Sequence, residues 1–153
     1  MNIAILYGTE TGNAEMLAED IASHLPDHDP AVTNLSDFDP ASFDRGTFYI
    51  IVTSTYGDGE LPASAQPFAA AMEAQSPALA GVFFAVFGMG DSEYETFNFG
   101  GQHIERIMTD AGAQMLGDRV THDASGGEMP EDLALPWVDA VIALAAAELE
   151  GVA

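Results

Sequence analysis

The sequence predicts an α/β protein of three layers, with about five parallel strands and helices on both faces of the sheet. Three observations carry that prediction. The runs Asn2 to Tyr7, Phe48 to Thr53 and Val82 to Phe87 are almost continuously apolar and show no alternation, the pattern of strands buried on both faces. Each run leads into a loop containing glycine, and each loop leads into a segment with apolar residues at helical spacing. Strand and helix therefore alternate, and right-handed crossovers between parallel strands set the helices on the two faces of one sheet.

Taken in order, the first strand ends at Gly8, and a helix is expected from Ala14 to Leu25, where Met16, Leu17, Ile21 and Leu25 carry the spacing and Pro26 closes the segment. Ala31 to Leu35 reads as a weaker strand, followed by the FYIIVT strand ending at Thr53. Pro67 to Ala74 reads as a helix, Val82 to Phe87 as a strand, and Gln102 to Ala111 as a further helix. Gln114 to Thr121 is a second weaker strand, and an Ala-rich helix from Leu133 to Leu149 completes the order. Neither repeats nor low-complexity linkers interrupt the alternation. Residues 1–153 are expected to form one domain, because a chain of this length buries roughly two-thirds of its unfolded surface.

The composition excludes several classes. With 25 Asp and Glu against 3 Lys and Arg, the formal charge is −22, and no basic stripe exists to neutralise a nucleic acid backbone. There is no cysteine, hence no disulfide, thiolate metal site or cysteine nucleophile, and any redox chemistry must come from a bound cofactor. His24, His28 and His103 show no ligand spacing with other His or Cys residues, and no metal is expected. His122 reads as a solvated loop residue, and Met16, Met72, Met108 and Met115 read as core filler. Trp137 is expected to pack against the sheet. No apolar stretch approaches the roughly 18 residues that span a bilayer, and no basic leader precedes the first strand. A cytoplasmic monomer without nucleic acid or membrane partners is the expectation.

In open α/β sheets ligands sit beyond the carboxyl ends of the strands, and three loops occupy such positions. The first, Gly8-Thr9-Glu10-Thr11-Gly12-Asn13-Ala14, opens a helix. It lacks the lysine of a P-loop and the three spaced glycines of a dinucleotide fingerprint. Its backbone N–H groups and the side chains of Thr9, Thr11 and Asn13 suit a terminal phosphate, while the plainer reading is a helix cap at Thr11 or Asn13. The second loop, Ser54 to Pro62, and the third, Gly88 to Asn98, each combine glycines with a tyrosine that can cover a planar ring.

TETGNAE, STYGDGELP and FGMGDSEYETFN, in that order, resemble the three flavin loops of the FMN-binding flavodoxin family. The last two are most similar in form to those of the FMN domains of diflavin reductases and of their stand-alone relatives, the MioC and cindoxin groups. The resemblance implies a flavodoxin-like fold with one FMN. It implies that Thr9, Glu10, Thr11, Gly12, Asn13 and Ala14 surround the phosphate, and that Tyr56 and Tyr94 cover opposite faces of the isoalloxazine. Ser54, Thr55 and Gly57 would line its edge, and the stretch Met89, Gly90, Asp91, Ser92, Glu93, Tyr94 through Phe97 and Asn98 would wrap its pyrimidine side. Asp123 aligns with an acidic residue near the flavin, and Ala14 stands where many flavodoxins have threonine.

The function so implied is one-electron transfer, from a flavin reductase as donor to an acceptor enzyme with a basic patch. The cindoxin branch points to a haem-thiolate monooxygenase and the MioC branch to biotin synthesis. Asp58, Glu60, Asp91, Glu93 and Glu95 border the flavin loops and would meet that patch. Two other classes compete: a quinone reductase of the same fold, whose open flavin face two tyrosines would obstruct, and a receiver-type signalling module, which needs a lysine that this chain lacks.

Overall fold

The structure, a computed structural model, describes residues 2–9, 12–54, 61–90, 99–123 and 129–150. Its elements follow the order β1 (Asn2–Gly8), α1 (Asn13–His24), β2 (Ala31–Asn34), β3 (Thr47–Ser54), α2 (Gln66–Gln75), β4 (Phe83–Gly90), α3 (Phe99–Asp110), β5 (Gln114–Met115), β6 (Val120–Asp123) and α4 (Pro130–Glu150). The strands lie in the order β2-β1-β3-β4-β5, with β6 also on β4, and among the described residues every pairing is parallel.

The apolar runs are central strands because both of their faces are covered. Ile3, Ile5, Tyr7, Phe48, Ile50, Val52, Ala85 and Phe87 pack under Leu17 and Ile21 of α1 and Val138 and Val141 of α4. Leu6, Tyr49, Ile51, Phe84 and Val86 face the other way, against Phe68 and Met72 of α2 and Ile104 and Met108 of α3. Two helical layers thus enclose the sheet, as alternate residues of a doubly buried strand require. β2 lies at one edge of the sheet and is only half-buried.

The fifth strand departs from the continuous segment expected over 114–121. β5 pairs with Phe83 and Phe84 at the start of β4, whereas β6 pairs with Phe87 to Gly90 at its end. Between them Leu116 still donates to the Phe84 carbonyl at 2.8 Å, but Gly117 at φ +71° turns the chain out of the extended conformation. α4 begins earlier than expected, because Pro130 suits a first helical position and Glu131 and Asp132 favour the positive end of the helix.

Two side chains lie elsewhere than the sequence suggested. Met16 is 65% exposed, since the buried stripe of α1 runs through Ala14, Leu17, Ala18 and Ile21, about 100° or more around the helix. His122 belongs to β6, not to a loop, and is 7% exposed because the strand places it beside Met89 of β4. Trp137 packs with its ring centroid 5.5 Å from that of Phe87, against the sheet as expected.

Candidate functional site

The chain leaves β1 for β2 on one side, while β3 lies on the other, so the connections diverge at the carboxyl ends of β1 and β3 and open a crevice there. Gly8, Thr53, Gly88 and Thr121 stand in one register row across β1, β3, β4 and β6. Ser54, Met89 and His122 form the next row, and the backbone of Gly90 pairs with that of Asp123. Three segments singled out in the sequence therefore meet at one edge.

At the end of β1 the backbone is closely packed. A Cβ on Gly8 would stand 2.9 Å from Ala65 Cβ and 3.0 Å from Thr53 Oγ1, so only glycine lets the start of the α2 segment approach β1. Thr9 N–H donates to Ser64 Oγ at 2.7 Å, and the Thr9 hydroxyl oxygen accepts from Gly12 N–H at the same distance. A hydroxyl that accepts still has its proton to give.

Gly12 is the N-cap of α1 at φ +96°, and among the described residues no side chain caps the helix. Of the two capping residues that the sequence offers, Asn13 is the first helical residue, and Thr11 lies outside the described residues. A Cβ added at Gly12 would meet nothing within 4 Å among the described residues. The N–H groups of the first turn lack acceptors within the helix and carry its positive partial charge. Ala14 turns its methyl into the core, which leaves only its N–H for a ligand. At the end of β3, Ser54 Oγ is buried without a hydrogen-bond partner among the described residues. A phosphate at the helix end and a polar ring edge at Ser54 fit these groups.

Behind the loop, Tyr7 Oη donates to Glu15 Oε2 at 2.6 Å and joins β1 to the first turn of α1. That bond to a carboxylate, together with burial, pushes the Tyr7 phenol up to about 12. On the opposite face burial also raises Tyr49, whose oxygen accepts from Asp44 N–H at 2.9 Å.

Of the sequence-predicted site residues, Thr9, Gly12, Asn13, Ala14, Ser54, Met89 and the backbones of Gly90 and Asp123 are gathered at this edge. Glu10, Thr11, Thr55, Tyr56, Gly57, Asp91, Ser92, Glu93, Tyr94, Phe97 and Asn98 lie outside the described residues, as do Asp58, Glu60 and Glu95. Sequence reasoning missed Ser64, Tyr7 and Glu15. Ser64 had no local signal, while Tyr7 was read only as strand and Glu15 only as helix.

The flavodoxin family model matches residues 5–137 of the chain. The chain is 30% identical over 145 residues to the protein MioC of Escherichia coli K12, covering 90% of this chain and 93% of that protein. It is 35% identical over 145 residues to the NADPH-dependent diflavin oxidoreductase 1 of Cryptococcus neoformans, and there it spans 92% of itself but only 24% of the relative's length. Among solved structures, a cysteine-to-serine mutant of flavodoxin from Pseudomonas aeruginosa superposes with a TM-score of 0.80 at 32% identity, covering 98% of this chain and 99% of that one. The loops that first suggested a flavin site thus stand on a matching fold and a matching family model, and the chain belongs to the flavodoxins, carriers of FMN.

Proposed function

We propose that the protein, as a single FMN-binding domain over residues 1–153, is a one-electron carrier that shuttles between an NAD(P)H-linked flavin reductase and an acceptor enzyme with a basic docking patch. The observation that carries this reading is the N-terminus of α1, which no side chain among the described residues caps, placed at the divergence between β1 and β3. FMN supplies the electron chemistry when bound. The chain's residues bind and orient it: first-turn amides and the Thr9 hydroxyl meet the phosphate, Ser54 meets the ring edge, and Tyr56 and Tyr94 exclude water from its faces. Asp123 adds negative charge near the ring, which disfavours a further negative charge on reduction.

The charge of −22 supports a partner of opposite sign, because complementary charge raises the association rate. A haem-thiolate monooxygenase is one acceptor of the right kind, and the carrier is a cytoplasmic monomer in this reading. Among the described residues no helix is long and apolar enough to cross a membrane.

Titration of the apoprotein with FMN and with riboflavin tests the site. FMN should bind at least about a hundredfold more tightly, since riboflavin forgoes several hydrogen bonds to the phosphate. Equal affinities would remove the phosphate assignment. Rapid NADPH oxidation by the holoprotein without an added reductase would mark it as an enzyme instead of a carrier.

A further inference from the structure

Glu15 stands three residues after the N-cap Gly12. From that position a carboxylate ordinarily turns back to the N-terminal amides of its own helix. Here it does not. Its Oε2 accepts from the Tyr7 hydroxyl, and the Gly12 N–H is taken by Thr9 Oγ1 instead. The acid at the capping position of α1 is thus drawn towards the strand, and among the described residues no side chain caps the helix end.

We propose that Tyr7 is a positioning residue for the cofactor phosphate: its hydroxyl holds the Glu15 carboxylate off the first-turn amides of α1, so that the helix's own acid does not compete for them. The inference rests on the reading that the phosphate binds at those amides. Tyr7 is 8% exposed and packs in the core between the sheet, α1 and α4, so its ring is a fixed post for a half-buried, longer side chain. Its phenol keeps its proton throughout the ordinary pH range and is always a donor. Without that donor, a glutamate three residues after the N-cap is in its ordinary position to turn back to the unsatisfied N–H groups of its own first turn. An intramolecular carboxylate there acts at a high effective concentration and adds a like charge beside the phosphate.

The rival is a brace that merely ties β1 to α1. Apoproteins of the wild type, Tyr7→Phe, Glu15→Gln and the double variant, titrated with FMN and riboflavin, separate the two. Tyr7→Phe should weaken FMN about tenfold, the worth of one charge-assisted hydrogen bond, and leave riboflavin within about twofold. The double variant should recover most of that loss, and Glu15→Gln alone should stay within about threefold of the wild type. Equal binding of both flavins by the wild type would defeat the phosphate reading and this inference with it. A wild type that prefers FMN, with Tyr7→Phe weakening both flavins alike or the double variant failing to recover, would overturn the inference alone. Should Tyr7→Phe not fold, Glu15→Gln decides: FMN affinity within about threefold supports the inference, and a gain of about tenfold or more would show the carboxylate already at the amides.

Discussion

Thr9 and Ser64, 55 residues apart in the sequence, hold one another by two hydrogen bonds: Thr9 N–H to Ser64 Oγ at 2.7 Å, and Ser64 N–H to the Thr9 carbonyl at 3.3 Å. The segment that follows β1 is therefore anchored to the turn that precedes α2. Ser64→Ala leaves the Thr9 N–H without its side-chain acceptor. The expected cost is about 1 kcal/mol in apoprotein stability, with FMN affinity reduced about fivefold to tenfold, read by urea unfolding and by quenching of flavin fluorescence. Ser64→Thr keeps the hydroxyl and should lose less of both.

Two glycines of the same loop should respond differently to alanine. At Gly8 the new methyl meets Ala65 Cβ at 2.9 Å and Thr53 Oγ1 at 3.0 Å, so α2 must shift, at about 1–3 kcal/mol. At Gly12 the methyl meets nothing among the described residues, and the cost is only that of a left-handed alanine, about 1 kcal/mol. Denaturant midpoints of the two apoproteins should rank Gly8→Ala below Gly12→Ala.

The Tyr7 phenol makes a pH signature. Its folded value, about 12, lies above its ordinary value of 10, so its contribution is complete below pH 10 and is lost as pH rises through about 12. Tyr7→Phe should cost about 1–2 kcal/mol at pH 8, and the gap between the variant and the wild type should close between pH 10 and 12. Parallel unfolding curves across that window check it. A gap that stays constant would mean that the phenol's proton is not linked to folding.

Charge reversal of Glu93 and Glu95 to lysine tests the docking role. Electron transfer to a basic acceptor such as cytochrome c should slow about tenfold at low salt, the gap narrowing as salt screens charges beyond about 8–10 Å, while FMN affinity stays within about twofold. Stopped-flow rates against ionic strength measure this. Rates indifferent to both changes would move docking to another surface.

The central strands were legible because each run is apolar on both faces, short, rich in β-branched and aromatic residues, and followed by a loop containing glycine. Of the glycine loops after them, the first was legible at its two ends, where Gly8 stands in close packing and Gly12 takes a left-handed φ, both of which favour glycine. Met16 misled because it adjoins Leu17 in sequence, whereas the helix sets neighbours about 100° apart. His122 misled because a four-residue strand beside an established one needs little pattern of its own; its place beside Met89 comes from pairing with β4 rather than from its neighbours in the chain. Contacts such as Thr9 with Ser64 depend on which segments the crossovers bring together, and local spacing holds no trace of them.

The strand pairings also bear on how the chain reaches its fold. Each described pairing is parallel, so no two neighbouring strands can close through a tight hairpin, and every ladder waits on a longer loop closure. Such chains fold slowly and pass through collapsed forms with unpaired strand edges. Here those forms carry the same charge of −22, and mutual repulsion keeps them apart during the delay. Salt removes that protection, so refolding yields at high protein concentration should fall as ionic strength rises, even where the native state is unaffected.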